Sequence, residues 1–175
     1  MLASISPCTR AHAILTPLKV VNVRAPFLLT QAFLASLPSP KSTPAAIINL
    51  NSILSFQTTS GLNAYSSAKA ALLAFTAHVA NDYPNVTAVT LNPGLVDTDT
   101  LQDMFRRFDL NTPQLVGGVA VWLSCDPERS RFLSGRFVIA DWCVDDLVER
   151  KEEIVEKGLL KIDIVGTLGR EQLGE

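Results

Sequence analysis

Apolar and polar positions fall into two periods along the chain. From Val20 to Leu37, VVNVRAPFLLTQAFLASL carries apolar residues at helical spacing and stops at Pro38 and Pro40, which predicts a helix with Pro26 at a first turn or a kink. The polar link PSPKSTP gives way to AAIINLNS, residues 45–52, an apolar run of the kind that forms a strand covered on both faces. A second helix is predicted from about Asn63 to Asn81, followed by NVTAVTLNPG, a β-branched strand closed by Pro93 and Gly94. A third helix, about Pro113 to Ser124 with Gly117 and Gly118 inside it, precedes a buried-type strand, GRFVIAD, at 135–141. Strands alternating with helices imply crossover units and a parallel sheet, so the fold class is α/β. DDLVERKEEIVEKGLL, residues 145–160, has only a narrow apolar stripe of Leu147, Ile154 and Val155 and is expected as a surface helix. The resulting organisation is an irregular segment at 1–19, an α/β domain at 20–144, and a helix and tail at 145–175.

Composition narrows the function. With 175 residues, 47% of them hydrophobic, the chain can bury a core of about one domain. A formal net charge of -2 and no basic stripe leave no electrostatic footprint for nucleic acid. Cys8, Cys125 and Cys143 are far apart, and His12 and His78 do not fall at ligand spacing with them, so no metal site is expected. Free thiols suit a reducing compartment, and a cytoplasmic location is expected. No apolar run reaches the ~18 residues that a membrane span needs. The acid-free, Ser-bearing start shares features with a transit peptide but reads as an irregular start.

NAYSSAKAALLAF, residues 63–75, places a phenol and an ammonium in an apolar run with no acid beside them. On a helix Tyr65 and Lys69 share one face, a turn apart. An unneutralised cation there favours phenolate, which is expected to lower the tyrosine pKa from about 10 and make it a tunable acid. A core tyrosine with a snorkelling lysine is the alternative.

Other residues decide between these readings. Ser52 ends the strand AAIINLNS, where ligands approach a parallel sheet; Ser55 competes with it in register. Asn22 lies in the preceding helix, and Asn92, Pro93, Gly94, Val96 and Thr98 follow the next strand. With Ser52 thirteen positions before Tyr65, this set resembles the short-chain dehydrogenase/reductase family over about Val20 to Trp142. The family has an Asn, Ser, Tyr and Lys tetrad and a Pro-Gly turn after its sixth strand.

The resemblance implies an NAD(P)-dependent oxidoreductase moving a hydride between nicotinamide and a carbonyl or alcohol. Tyr65 would be the general acid or base, and Ser52 would hydrogen-bond the reacting carbonyl. Lys69 would hold the nicotinamide ribose and depress the phenol, while Asn22 would support a proton-relay water. Pro93, Gly94 and Val96 would form the turn that meets the carboxamide, with Thr98 beside it. The alternative for Asn22 is an asparagine that faces solvent or bonds its own backbone.

The family opens with a strand, a Gly-rich turn and a helix that receive the pyrophosphate. No glycine pattern follows a strand before residue 60, and Gly166 and Gly169 near the end lack a third glycine and a crossover unit, so they read as a terminal turn. The chain resembles the second half of a Rossmann-like doubly wound sheet, and NAD(P) is expected to bind weakly or not at all to such a truncated form. Three accounts stay open: an enzyme fragment, a non-catalytic truncated homologue acting through oligomerisation, and a small apolar ligand-binding module. A homodimer or dimer of dimers is expected through the helices at 20–37 and 63–81, the second presenting Ser67, Ala70, Ala74, Ala77 and His78. Met104, Phe105 and Phe108 are expected to form an apolar lid over a small carbonyl or alcohol substrate, with Arg106 and Arg107 able to meet an acidic group.

Overall fold

The structure is a computed structural model that describes residues 20–99, 101 and 103–163. The expectations for segment 1–19, Cys8, His12, Gly166 and Gly169 lie outside the described residues.

Three parallel strands form one sheet in the order β1-β2-β3: β1 is Ala45–Leu50, β2 Val86–Asn92 and β3 Phe137–Ile139. Every residue of β2 is buried, as a central strand with both faces covered requires. Ile48 pairs with Val89 and Leu91 with Val138. The expected strand at 45–52 stops at Leu50, leaving Asn51 and Ser52 beyond its tip. The strand at 135–141 shortens to 137–139 because Gly135 takes φ +74 and donates its N–H to Ala88 O at 2.7 Å.

The helix expected from Val20 opens as a π-turn, Val20–Arg24, and continues as α1, Ala25–Ser36. Pro26 has no N–H to donate to the Asn22 carbonyl, so an α-helical bond cannot close there and the turn widens. Helix α2, Asn63–Asp82, packs on the sheet face that carries Asn49, whose Nδ2 donates to Thr76 Oγ1 at 2.9 Å. Helix α3, Pro113–Cys125, starts with Pro113 in its first turn and with Thr112 Oγ1 accepting from Leu115 N at 3.2 Å, a side-chain cap for an otherwise orphan donor. It covers the opposite face.

Val119 and Leu123 of α3 meet Val89, Leu91 and Val138 in the main core. A smaller cluster joins Leu34 of α1 to Ala45 and Val86. The single helix expected at 145–160 is instead two: α4, Val144–Glu149, and α5, Lys151–Glu156, broken at Arg150. Leu147 and Ile154 are buried in the main core while Val155 is exposed, so two of the three predicted stripe residues face inward. Arg136 ties this end to β3, its guanidinium donating to the carbonyls of Leu159, Ser134 and Ile154 at 3.0, 3.3 and 3.2 Å.

No helix among the described residues is long and apolar enough to cross a membrane. Leu123 is fully buried between α3 and the sheet. Leu123→Ala is expected to cost about 2–5 kcal/mol from lost transfer energy and the cavity left behind. Urea denaturation checks it, with a lower midpoint and an unchanged slope expected.

Candidate functional site

The carboxyl ends of β1 and β2 meet the first turns of α2, and that junction gathers most of the sequence-predicted residues. Asn51, 3% exposed, continues the ladder with its N–H on Leu91 O at 2.8 Å. Its side chain bridges two elements: Oδ1 accepts from Ser52 N at 2.8 Å and Nδ2 donates to Lys69 O at 3.1 Å. One buried amide thereby fixes the backbones of Ser52 and Lys69 relative to each other.

Ser52 is extended, with φ -149, and its Oγ accepts from Leu54 N at 3.2 Å, capping the short turn Ile53–Ser55. The same hydroxyl acts on the Tyr65 phenol and lowers its pKa in part. Ser55, the competing register, is buried with no hydrogen-bond partner for its Oγ among the described residues. The serine that meets the phenol is therefore Ser52.

Tyr65 is half-buried, and Lys69 Nζ lies 5.7 Å from its ring centroid, within cation–π range. The phenol's pKa is not depressed as the sequence implies. Burial raises it, and Ser52 offsets only part of that, because desolvation disfavours the phenolate. Lys69 is itself buried, which lowers its own pKa, and its ammonium donates to Leu50 O at 2.9 Å. A cation occupied by a carbonyl, above a ring face rather than at the hydroxyl, does little to stabilise phenolate. Among the described residues no carboxylate pairs with Lys69.

Asn22 sits in the π-turn, part-buried, at a segment packed on α2. No hydrogen bond among the described residues joins its side chain to Ser52, Tyr65 or Lys69.

Pro93 and Gly94 form the turn that leaves β2, with Gly94 at φ +71. Asn111 clamps it: Nδ2 donates to Pro93 O at 2.9 Å and to Asp141 Oδ1, and its N–H donates to Leu95 O at 2.6 Å. Val96 pairs with Asn111 in an isolated bridge. Thr98 is exposed, its carbonyl accepting from Leu101 N at 3.0 Å. A methyl group on Gly94 would clash with Asn111 Nδ2. Gly94→Ala is therefore expected to cost about 1–3 kcal/mol from left-handed backbone strain and loss of the clamp. A fall in Tm that Asn111→Ala partly relieves in the double variant checks it.

Sequence reasoning missed Asn51, Asn111 and Asp141. An asparagine at a strand tip, directly before the candidate serine, was a usable signal for Asn51. Asn111 and Asp141 meet only through the fold, at an interval of thirty residues. In the segment expected as a lid, Phe105 closes a short turn and Phe108 is 50% exposed. Arg106 is held by Asp97 and, at 3.4 Å, by Asp103, while Arg107 lies 5.0 Å from the Phe108 ring centroid. Arg106 is therefore not a free cation awaiting an acidic group.

Comparison with known proteins matches this geometry to a lineage. The short chain dehydrogenase family model covers residues 15–108, more than half of the chain. The short chain dehydrogenase mpl6 of Monascus purpureus is 34% identical over 150 residues, which are 83% of this chain and 50% of that protein. A blue fluorescent protein from a metagenomic library, crystallised with NADPH, is 29% identical with a TM-score of 0.58, covering 69% of this chain and 52% of that one. A dehydrogenase/reductase of Sinorhizobium meliloti 1021 is 26% identical with a TM-score of 0.63, covering 74% and 56%. The chain thus spans about half the length of the curated relatives it matches, as the sequence implied in resembling part of the fold. It belongs to the short chain dehydrogenase family.

Proposed function

We propose that the junction of β1, β2 and α2 is the reacting end of an NAD(P)-dependent oxidoreductase, acting on a small carbonyl or alcohol with Tyr65 as proton donor. The observation that carries this reading is the convergence of Ser52, Tyr65 and Lys69 on one point at the strand tips. Burial raises the phenol's pKa rather than lowering it, so Tyr65 is protonated at neutral pH as an ordinary tyrosine is, and the site suits reduction of a carbonyl, where the developing alkoxide takes the Tyr65 proton. Ser52 Oγ would hydrogen-bond that oxygen and orient it.

The residues present fit the nicotinamide end of a dinucleotide. Lys69, held by a single carbonyl, has donors left for ribose hydroxyls, and the Pro93-Gly94 turn offers backbone polar groups beside it. The cofactor would supply the hydride. Among the described residues no Gly-rich turn follows a strand, so nothing there receives a pyrophosphate, and affinity is expected to be weak. Asn22, in the turn that Pro26 widens, would support a proton-relay water.

The partner we assign is a second copy. Ser67, Ala71, Ala74, Ala77 and His78 of α2 are exposed, with Ala70 at their margin, and the face carries no formal charge. A groove of about 420 Å³ between the π-turn, α1 and α2 is lined by Phe27, Ala71 and Phe75. Such a surface favours helix packing over solvation. Exposed free Cys125 and Cys143 fit a reducing, cytoplasmic setting.

Titration with NADPH and NADH, followed by nucleotide fluorescence, tests the reading: a saturable change at millimolar cofactor is expected, and none would overturn an autonomous dehydrogenase. The pH dependence carries the same logic. A raised phenol pKa means that carbonyl reduction stays level through neutrality and falls as pH rises above about 10, whereas alcohol oxidation climbs over that range. Stability follows suit, because the native state keeps the Tyr65 proton longer than the unfolded chain. The contribution is fully present below the unfolded pKa and is lost as pH rises through the folded one, so Tyr65→Phe should be less sensitive to alkali than the wild type.

A further inference from the structure

Asn111 joins the turn after β2 to the residues that follow β3. Its side-chain amide donates to Pro93 O at 2.9 Å and to Asp141 Oδ1, while its N–H donates to Leu95 O at 2.6 Å. Carbonyl and carboxylate oxygens only accept, so the NH2 of Asn111 must face both. Asp141 thereby fixes which way the amide points. Among the described residues no other group donates to Pro93 O. The amide can come so close because Gly94 carries no side chain to meet it.

The backbone of Asn111 sets the next residue as well. Val96 and Asn111 form an isolated parallel bridge, in which the Asn111 N–H takes Leu95 O. Backbone groups of successive residues alternate sides along a parallel ladder, so the N–H and C=O of Val96 turn away from Asn111. Neither group is engaged by another described residue, and Val96 is half-buried. One donor and one acceptor side by side complement a primary carboxamide, which offers a C=O and an NH2.

We propose that Asn111 is a positioning residue for nicotinamide: by holding the carbonyls of Pro93 and Leu95 it presents the Val96 donor–acceptor pair to the carboxamide, with Asp141 orienting the amide. This role rests on the reading of the junction as a nicotinamide site, since Asn111 works through the turn and touches no reacting atom.

Fluorescence titration with NADPH, with Tm measured in parallel, tests the role on the whole chain. Asn111→Asp replaces the donor to Pro93 O by an acceptor and sets two carboxylates together, so Kd should rise about tenfold or more and Tm should fall. Asp141→Asn keeps an acceptor for Asn111 Nδ2 and should change Kd by about twofold or less. The exchanged pair, Asn111→Asp with Asp141→Asn, rebuilds their mutual bond with the donor on the other side, yet Pro93 O still lacks one. Its Tm should return most of the way to wild type while Kd stays about tenfold weakened. Recovery of Kd together with Tm would mean that the pair only stabilises the fold, and would overturn the proposal. An unchanged Kd in Asn111→Asp would also overturn it, as would a Tm that stays low in the exchanged pair, because Asp141 would then not be orienting the amide. No saturable change in the wild type would instead overturn the nicotinamide reading itself, and this role with it.

Discussion

Tyr65→Phe is expected to lower carbonyl reduction by about 10²–10⁴-fold at neutral pH, the range for removing a positioned general acid. The ring stays, so its contact with the Lys69 ammonium, 5.7 Å from the centroid, survives. The substitution removes only the proton and the interaction with Ser52. The loss should therefore fall on kcat, with nucleotide affinity and Tm nearly unchanged. Steady-state kinetics on both proteins check it. A fall in affinity with kcat preserved would mean that the phenol binds rather than donates.

Asn51→Leu should produce the largest combined effect on stability and site geometry. Leucine matches asparagine in size but leaves Ser52 N and Lys69 O without the partners they have at 2.8 and 3.1 Å. The part-buried Ser52 N–H loses its partner, whereas Lys69 O keeps its bond within α2, so the change should cost about 1–3 kcal/mol. Because the same amide sets Ser52 against Lys69, turnover should drop further than the fall in stability explains. Asn51→Asp keeps an acceptor for Ser52 N but buries a carboxylate against Lys69 O, so it should hold the Ser52 geometry while still losing stability. Urea denaturation and kcat on the two variants separate these contributions; equal behaviour would contradict the bridging role.

The sequence made the architecture legible where burial was continuous. VTAVTL is apolar or β-branched throughout, and the strand Val86–Asn92 is buried at every position; the parallel α/β arrangement follows from it and from the helical spacing between strands. Tyr65 and Lys69 could be paired because a helix fixes their relation within one turn. Ser52 required a contact between a strand tip and that helix, which the resemblance provided and Asn51 enforces in space.

What stayed illegible depended on burial and on remote partners. The direction of the phenol shift was misjudged: charge spacing is visible in a sequence, whereas desolvation and the engagement of Lys69 by Leu50 O are not. The break at Arg150 hides in a charged stretch whose apolar stripe reads as continuous. The clamp of Asn111 on Pro93 and Asp141 joins a loop to the ends of two strands, a contact no local pattern encodes.

The central claim is that burial outweighs the neighbouring cation at Tyr65, so that the phenol is not depressed toward phenolate and stays a protonated donor at neutral pH. Spectrophotometric titration of the phenols tests it, since Tyr65 and Tyr83 are the only tyrosines and Tyr65→Phe isolates the first by difference. A midpoint above the ordinary value of about 10 is predicted. A midpoint below it would show Lys69 in control and contradict the account.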